Sequence, residues 1–284
     1  MRALAELAAR LHLGALALST LKAGAVLVVL FVFVFICESR RGSDRSRYLT
    51  KNFLNDVLYS LFYRGGLYNV LTGAVIANAL GHRLDFFNVG VLQGLPLPVA
   101  AVLAWLSTDF LGYWIHRLQH HSKFLWAFHS VHHSQERMTF LTSYRIHPIE
   151  IFIANIIMFI PLLVLGVPTT TWVPLYVLQN GLEFVQHADL DWRYGKLYRL
   201  IVSPLFHNFH HSASPEHYNR NFGKVLSIWD FLFGTAVLDE QRPRRTGVDG
   251  LHMPESIGGQ LITPFRMLRE QFFPKRGERL ISSP

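Results

Sequence analysis

Histidines with short, regular spacing form three groups in the middle of this chain. The groups are His116-x3-His120, His129-x2-His132-His133 and His207-x2-His210-His211. Residues three and four apart share one face of a helix, so each group presents two or three imidazoles in one direction. Neutral imidazole is a ligand for zinc, iron, copper and nickel. The spacing therefore predicts a metal site.

The number of histidines predicts more than one metal ion. Twelve of the fifteen histidines lie between residues 116 and 217. A lone pair of histidines is usually structural, but eight clustered imidazoles without a metal would oppose one another's protonation. They also exceed the four ligands of a tetrahedral zinc, so we predict two ions. His187, at the end of a predicted helix, is the expected ninth ligand, and the alternative is a histidine that caps a helix C-terminus.

Two carboxylates lie at helical spacing before predicted ligands. Asp109 precedes His116, with Tyr113 between them on the same face. Glu183 lies one turn before His187. Either carboxylate is a candidate to orient a ligand imidazole through a hydrogen bond, and the alternative is a polar side chain near the end of a span.

The other histidines do not follow the spacing of the groups. The roles of His147 and His217 stay open. His121 points away from the face that His116 and His120 share, so we expect it to be structural. Surface or interfacial positions are expected for His12, His82 and His252.

The composition is that of a membrane protein. Half of the 284 residues are hydrophobic and only 16% are charged, whereas a soluble domain carries about a quarter charged residues. Basic stretches beside membrane spans bind anionic lipid, so we assign the net charge of +8 to the membrane surface and not to nucleic acid. Cys37 is the only cysteine, which excludes an internal disulfide, a four-cysteine zinc site and an iron–sulfur cluster.

Apolar segments of spanning length recur along the chain. Residues 13–37 are long enough to span a bilayer and too long for a typical signal peptide, so we expect a retained helix. The fold prediction is an all-α, multi-span membrane protein of about four to five transmembrane helices with a histidine-rich helical cap. The other predicted spans are one within 54–80, one over 91–115 that starts or kinks at Pro96 and Pro98, and a helical hairpin over 149–187 that turns near Pro168.

The basic loop after the first span predicts the topology. Residues 38–53 contain four arginines and a lysine, so this loop should be cytoplasmic by the positive-inside rule. Counting spans from the loop puts the histidine groups on the cytoplasmic side of an integral, multi-pass protein. The predicted domains are a transmembrane region 1–100, a histidine-box domain 101–240, and a basic C-terminal tail 241–284 that is loosely ordered.

Four stretches resemble the fatty acid hydroxylase/sterol desaturase superfamily of membrane non-haem diiron enzymes. They are DFLGYWIHRLQHHSKFLWAFHSVHHS, TSYRIHPIE, LEFVQHADL and SPLFHNFHHSASPEHYNRNFGKVLSIWDFLFGTA, within residues 109–236. The resemblance implies a helical membrane anchor, a cytoplasmic cap, and two iron ions, which zinc could replace, that activate O2 at a lipid C–H bond. The metal-ligating and catalytic residues that it implies are His116, His120, His129, His132, His133, His187, His207, His210 and His211.

The expected activity is O2-dependent hydroxylation or desaturation of a fatty acyl, sterol or related lipid. Imidazole-rich sites without thiolates suit iron that activates O2, with electrons supplied from outside. The sequence has no haem-attachment motif, nucleotide fingerprint or iron–sulfur cysteines. We therefore expect an external electron donor, which could be cytochrome b5, a ferredoxin or a flavin reductase. The sequence does not distinguish among fatty acyl, sterol, carotenoid-like and ether lipids as substrates.

Other classes of protein fit the histidines less well. A zinc-dependent membrane hydrolase is the main alternative, but the H-E-x-x-H pairing of ligand and general base is absent from the sequence. A b-type haem carrier needs only paired axial histidines and would leave most of the others unexplained. A metal transporter would distribute its ligands through the spans.

Overall fold

The computed structural model describes residues 13–68, 72, 90–166, 169–239 and 241–273. Within these ranges the chain forms α-helices and short 3-10 helices and no β-strand. One isolated antiparallel bridge joins Ser212 to Thr246. The all-α prediction is therefore confirmed for the described part of the chain.

The α-helices follow one another along the sequence with short connections. In the described residues they are α1 (Leu13–Arg41), α2 (Lys51–Arg64), α3 (Leu97–His121), α4 (Lys123–His133), α5 (Pro148–Leu165), α6 (Thr169–His187), α7 (Pro204–His210), α8 (Ile228–Leu232) and α9 (Ile257–Phe272). The 3-10 helices are Arg45–Leu49, Phe140–Tyr144, Gly195–Arg199 and Pro215–His217.

Two helices in the described ranges are long and apolar enough to cross a membrane, namely the Thr20–Arg41 part of α1 and the whole of α3. The protein buries only 12% of the apolar window of α1 and 33% of that of α3. Leu21 and Val29 of α1 are 71% and 68% exposed. Apolar side chains in these positions are suited to contact with lipid.

The helix α2 falls partly within the predicted second span, but it carries buried polar side chains. Asn55, Asp56 and Ser60 are all buried. A carboxylate is tolerated there because Asp56 pairs with Arg145. Most of the remaining predicted span, together with His82, lies outside the described residues, as does His12.

The helices that were predicted around the histidine groups, α3, α5 and α6, are present. α3 begins directly after Pro96, as expected, and continues to His121. The predicted helical pair over 149–187 consists of α5 and α6, and Gly166 ends α5 with a φ of +66°, which favours glycine. Both helices of the pair pack against α3. The pair therefore packs against the helix that bears the first histidine group.

Serine caps set the directions of the two short histidine helices. Ser122 ends α3 and starts α4, and its hydroxyl accepts a hydrogen bond from the amide of Leu125 at 3.4 Å. Ser203 starts α7 in the same way, accepting from the amide of Phe206 at 3.2 Å. Such caps satisfy amides that a helix leaves unpaired at its N-terminus. They turn the chain sharply, so that α4 folds back against α3.

The expectation of a loosely ordered tail was wrong for residues 257–272. These residues form α9, which packs against α4, and Met267 lies in a cluster with Trp126 and Ala127. The buried residues of α9 recur every three or four positions, at Gln260, Thr263 and Met267, so a helix covers α4 with one face. Residues 274–284 lie outside the described ranges.

A buried ion pair joins α2 to the segment before α5. Arg145 Nε lies 2.7 Å from Asp56 Oδ1, and the two side chains are 1% and 0% exposed. Arg145 also donates to the carbonyl oxygen of Asn52 at 2.8 Å, and Gln135 donates to the other oxygen of Asp56 at 3.2 Å. The loss of either partner would leave a buried charge without its counter-ion.

We predict that Asp56→Ala lowers the free energy of unfolding by about 3–5 kcal/mol, because it leaves Arg145 buried and unpaired. Thermal and denaturant unfolding in detergent micelles would measure the loss. Lys51→Ala is the control, since Lys51 and Glu255 form an exposed pair at 3.6 Å and exposed pairs contribute little. Equal stability of the two variants would contradict the assignment of Asp56 as a structural anchor.

Candidate metal centre

The nine predicted ligands lie together in two clusters. In each cluster the potential ligand atoms lie within 4.8 Å of one another, and every one of these side chains is buried. The first cluster is His116, His120, His129, His133 and His210, and the second is His132, His187, His207 and His211. Sequence analysis predicted that these residues converge, and they do; their role as metal ligands stays a prediction.

The histidine group on α4 and the group at α7 divide between the two clusters in opposite ways. On α4, His129 and His133 face the first cluster and His132 faces the second. At α7 the pair four residues apart, His207 and His211, belongs to the second cluster. The intervening His210 joins the first cluster. Each short segment therefore contributes to both clusters, which keeps the clusters adjacent.

Close approach of ring nitrogens characterises the second cluster. The Nε2 atom of His187 lies 3.3 Å from that of His132 and 2.9 Å from that of His207. The Nε2 atoms of His207 and His211 are 3.1 Å apart. Neighbouring nitrogens that bind one ion at about 2.1 Å are about 3.0–3.4 Å apart in octahedral or tetrahedral geometry. The observed spacing fits one ion.

Hydrogen bonds at Nδ1 orient three rings of the first cluster. His116 donates to the carbonyl oxygen of Phe222 at 2.8 Å, and His210 donates to that of Arg220, also at 2.8 Å. His129 donates to Glu150 Oε1 at 2.7 Å. With the proton on Nδ1, each ring has its lone pair on Nε2, and this arrangement is usual for histidines that bind metals.

Unpartnered nitrogens in the first cluster provide a test of whether a metal fits. The buried Nε2 atoms of His120, His129, His133 and His210 have no hydrogen-bond partner within the described protein. A buried polar atom without a partner is costly. A cation that accepts these lone pairs would remove the cost, and a donor set made only of imidazoles suits iron or zinc. The residues present therefore fit a metal ion in each cluster.

Burial favours the neutral form of four of these rings, and neutral imidazole is the form that binds a metal. Desolvation, reinforced by neighbouring imidazoles, lowers the pKa values of His133, His207 and His211 well below the ordinary 6.5. Desolvation likewise lowers the pKa of His210 to about 3, although its hydrogen bond to Arg220 opposes the shift.

Ring stacking connects the two clusters. His133 of the first cluster stacks on His211 of the second, with ring centroids 4.3 Å apart and planes 21° from parallel. His207 and His210 also stack across the boundary, at 5.4 Å and 25°. The two clusters thus form one continuous group of nine imidazoles.

The segment 219–235 fixes two imidazoles through its main chain. Asp230 accepts hydrogen bonds from the amides of Phe222 and Gly223, each at 2.7 Å. Asn221 has a φ of +57°, and its side-chain amide donates to the carbonyl oxygen of Phe206 at 2.8 Å. These contacts hold the carbonyl groups that orient His116 and His210. The NRNFG and WDFLFGT residues of the family resemblance therefore have a structural role at the centre.

The two carboxylates that were candidates to orient imidazoles have other partners. Asp109 accepts from the amides of Val225 and Leu226 and from Trp229 Nε1 at 2.8 Å. Asp109 lies two turns before His116, and its carboxylate contacts residues 225–229 instead of the imidazole ring of His116. Glu183 orients His187 through its carbonyl oxygen, at 2.7 Å, while its carboxylate accepts from Gln179.

Histidines outside the clusters have structural contacts. His147 Nε2 lies 3.1 Å from the carbonyl oxygen of Leu261. His217 bonds Ser212 and lies 3.0 Å from a carboxylate oxygen of Asp239. His121 is exposed and bonds the carbonyl oxygen of Arg117, as expected for a structural residue. His252 is exposed as well.

Glu150 and Gln119 are residues that sequence analysis missed. Besides accepting from His129, Glu150 Oε1 accepts from Gln119 Nε2 at 2.9 Å, and Glu150 is only 8% exposed. The other carboxylate oxygen is buried without a hydrogen-bond partner in the described residues. Glu150 lies in the first turn of the apolar helix α5. This position could have identified it from the sequence, because ionisable groups beside spans are usually functional.

A cavity of about 400 Å³ adjoins both clusters. It lies among α2, α3, α5 and α6. Five of the nine histidines line it, namely His116, His129, His132, His187 and His207. Other lining residues, such as Ile115 and Glu183, precede the histidines on α3 and α6. The cavity therefore extends from the histidines toward the apolar parts of these helices.

Comparison with known proteins defines the class. Residues 101–235 match the family model of the fatty acid hydroxylases. This segment contains all nine clustered histidines and belongs to the fatty acid hydroxylase family, which confirms the resemblance seen in the sequence. No solved structure matches the chain.

Several curated proteins are similar to the chain. It is 29% identical to the ornithine lipid hydroxylase OlsE of Rhizobium tropici over 80% of this chain and 70% of that protein. It is 35% identical to the alkylglycerol monooxygenase of Danio rerio over 47% of this chain and 29% of the other. Methylsterol monooxygenase 1-3 of Arabidopsis thaliana is 30% identical over 52% and 53%. These relatives are hydroxylases and monooxygenases, so the prediction of an oxidoreductase is confirmed.

We predict that Glu150→Ala weakens metal binding about 10–100-fold, because the ring of His129 loses the acceptor that orients it. Competition with a chromogenic chelator would measure the change in affinity. Glu183→Ala is the matched control, since this carboxylate lines the same cavity without contacting an imidazole. An equal loss of affinity in both variants would contradict an orienting role for Glu150.

Proposed function

We propose that the chain is a membrane-bound, O2-dependent oxygenase that inserts oxygen into, or desaturates, a C–H bond of a lipid at a centre of two iron ions. The single observation that carries this proposal is the pair of adjacent, buried, all-imidazole clusters. The proposed ligands are the five histidines of the first cluster and the four of the second. When bound, the ions would supply the binding and reduction of O2.

The overall reaction requires an electron donor. Hydroxylation converts R–H, O2, two electrons and two protons into R–OH and water. With no haem-attachment motif, nucleotide fingerprint or iron–sulfur cysteines in the sequence, the two electrons must come from a separate protein or reductase. We retain cytochrome b5, a ferredoxin and a flavin reductase as the candidate donors.

The residues of the chain position the lipid and the rings. Five histidines form one wall of the cavity, so the carbon that reacts must lie against this wall. The ring of His129 is held by Glu150, and that of His116 by the carbonyl group of Phe222. All nine rings are buried, which limits the access of bulk water to the centre and protects a reactive site from side reactions.

The lining of the cavity favours a lipid with a polar group near the reacting carbon. Lys224 and Glu183 supply charges of both signs, and Asn155 also lines the cavity. The stem of Lys224 passes so close to Gly112 that a Cβ atom built there would lie 3.0 Å from Lys224 Cδ. Charged walls disfavour a plain alkyl chain or a sterol ring. An ornithine lipid, the substrate class named for the Rhizobium tropici relative, is a lipid of the favoured kind.

The proposed topology is multi-pass, with about four to five spans and the histidines on the cytoplasmic side. The two helices of spanning length support membrane insertion, and the arginines that follow α1 support the orientation. We retain the division into a transmembrane region 1–100, a histidine-box domain 101–240 and a C-terminal segment 241–284.

A zinc-dependent hydrolase is the alternative. The imidazole donors also suit zinc, which would make the activity independent of O2. The cavity wall contains Glu150 as a buried carboxylate, but this group is engaged by His129 and Gln119. Metal analysis of purified protein distinguishes the two functions, since about two irons support the oxygenase and zinc alone supports the hydrolase.

We predict that His132→Ala and His210→Ala each abolish turnover and reduce bound metal, because each removes a ligand from a different cluster. His121→Ala and His252→Ala should change neither quantity, since both rings are exposed. Metal content by mass spectrometry and product formation by lipid analysis would measure the effects. A similar loss in all four variants would show that the histidines act on folding and not as ligands.

We also predict that lipid oxidation by the iron-loaded protein stops without O2 or without a reductant. Incubation with membrane lipids under 18O2 should give product that carries one heavy oxygen in the case of hydroxylation. Zinc-loaded protein is the control and should give no oxidised product. Turnover in the absence of O2 would contradict the proposed function.

A further inference from the structure

A basic groove lies beside the histidine clusters and shares no lining residue with the cavity. It has a volume of about 550 Å³. Its arginines are Arg47, Arg137, Arg242, Arg244 and Arg245, against the carboxylates of Glu136, Asp189 and Asp249. Arg137 and Arg245 are 62% and 72% exposed. Four of the five arginines form ion pairs, Arg47 and Arg242 with Asp189, Arg137 with Asp44 and Arg245 with Asp249. The arginines still outnumber the lining carboxylates, and the exposed side chains of Arg137, Arg244 and Arg245 make this modest excess of positive charge accessible to solvent or a partner.

The position of the groove separates it from the apolar faces of the helices. Its lining residues follow the helix ends that bear the histidines, as Glu136 follows His133 on the chain and Asp189 follows His187. Arg47 likewise follows the end of α1, whose exposed apolar residues, such as Leu21 and Val29, all precede it. None of the lining residues of the groove belongs to α1 or α3, the two helices that are suited to lipid.

The floor of the groove touches the main chain of a clustered histidine. The amide of Gly247 donates to the carbonyl oxygen of His211 at 3.1 Å, and the amide of Ala213 donates to that of Arg245 at 3.0 Å. Thr246 Oγ1 donates to the carbonyl oxygen of Glu136 at 2.9 Å. The 245–247 segment therefore lies between the chain that follows His133 and the chain that bears His211, and it is hydrogen-bonded to both.

This contact leads to both clusters. His211 belongs to the second cluster and stacks on His133 of the first. His120, His133, His210 and His211 are also the four clustered histidines that do not line the cavity. Of these four, His211 contacts the groove directly, through the hydrogen bond of its carbonyl oxygen with Gly247. An electron that enters at the 245–247 segment reaches both clusters through one hydrogen bond and one ring contact, without crossing the cavity.

We propose that the groove is the docking site of the electron donor, and that this donor is a small redox protein with an acidic surface. The inference rests on the proposed function, which requires two electrons for each turnover. Each one-electron donor molecule is oxidised once, so two donors dock in succession for each lipid that is oxidised. Charge complementarity fits an acidic partner and accelerates its association.

The test measures electron acceptance apart from lipid oxidation. Oxidised, iron-loaded full-length protein is mixed without O2 with a reduced acidic [2Fe–2S] ferredoxin, and the second-order rate of ferredoxin oxidation is recorded by stopped flow. We expect the double variant Arg137→Glu/Arg244→Glu to lower this rate about tenfold or more. The rate for the unaltered protein should fall as salt is added. Arg137→Lys/Arg244→Lys should retain the original rate.

Two controls separate docking from damage to the centre. Photoreduced deazaflavin, a small neutral reductant, should reduce all variants at the same rate. Lys196→Glu reverses an exposed charge that does not line the groove and should leave the ferredoxin rate unchanged. Equal ferredoxin rates in Lys196→Glu and the double variant would overturn the proposal. Equal slowing of the double variant with both reductants would also overturn it.

A lipid surface is the competing occupant. If the double variant lost binding to phosphatidylserine vesicles while its ferredoxin rate stayed unchanged, the groove would be a lipid site and the proposal would be wrong. Lipid oxidation is assayed separately under 18O2. Failure of that assay, with normal electron acceptance through the groove, would overturn the proposed function and leave the docking site intact.

Discussion

Nine imidazoles buried from water impose a large desolvation cost, and much of the structure can be understood as the arrangement that offsets it. Main-chain carbonyl groups of Phe222, Arg220 and Glu183 and the carboxylate of Glu150 each accept from one Nδ1 atom. Each of these bonds directs the opposite nitrogen toward a cluster. Two of those nitrogens, Nε2 of His129 and Nε2 of His210, have no protein partner in the described residues. Cations between the rings would offset this cost, as the proposed function requires.

The surrounding helices are fixed to the histidine segments by buried charge. Asp189 follows His187 and pairs with Arg41 and Arg47 at 3.2 and 2.5 Å, and with Arg242. One carboxylate thus joins the end of α1, the chain after it and the C-terminal segment. The Asp56–Arg145 pair attaches α2 to the chain before α5. These links hold the helices in fixed positions around the centre, where small displacements of the rings would change the ligand geometry.

The centre has two distinct sides because the histidines lie at helix ends. Residues that precede them on α3 and α6 border the cavity, and residues that follow them on α4 and α6 border the groove. The cavity and the groove have no lining residue in common. Helix direction alone produces this separation, since α3 and α6 both bear their histidines at the C-terminal end.

Local spacing in the sequence was enough to predict several features of this protein. They are the all-α class, the three histidine groups, the start of α3 after Pro96, and the convergence of nine histidines on one site. Hydrogen bonding within a helix fixes which residues share a face, so three boxes can be recognised without a fold. Tertiary structure alone decided the division into clusters of five and four, because it depends on how α3, α4 and α7 cross. The His129–Glu150 and His116–Phe222 bonds join residues 21 and 106 positions apart. The residues of α9 recur at helical spacing in the sequence, but the surface that this helix covers could not be predicted, since its buried face exists only against α4. Contacts between distant segments depend on packing, and no periodicity in the chain encodes them.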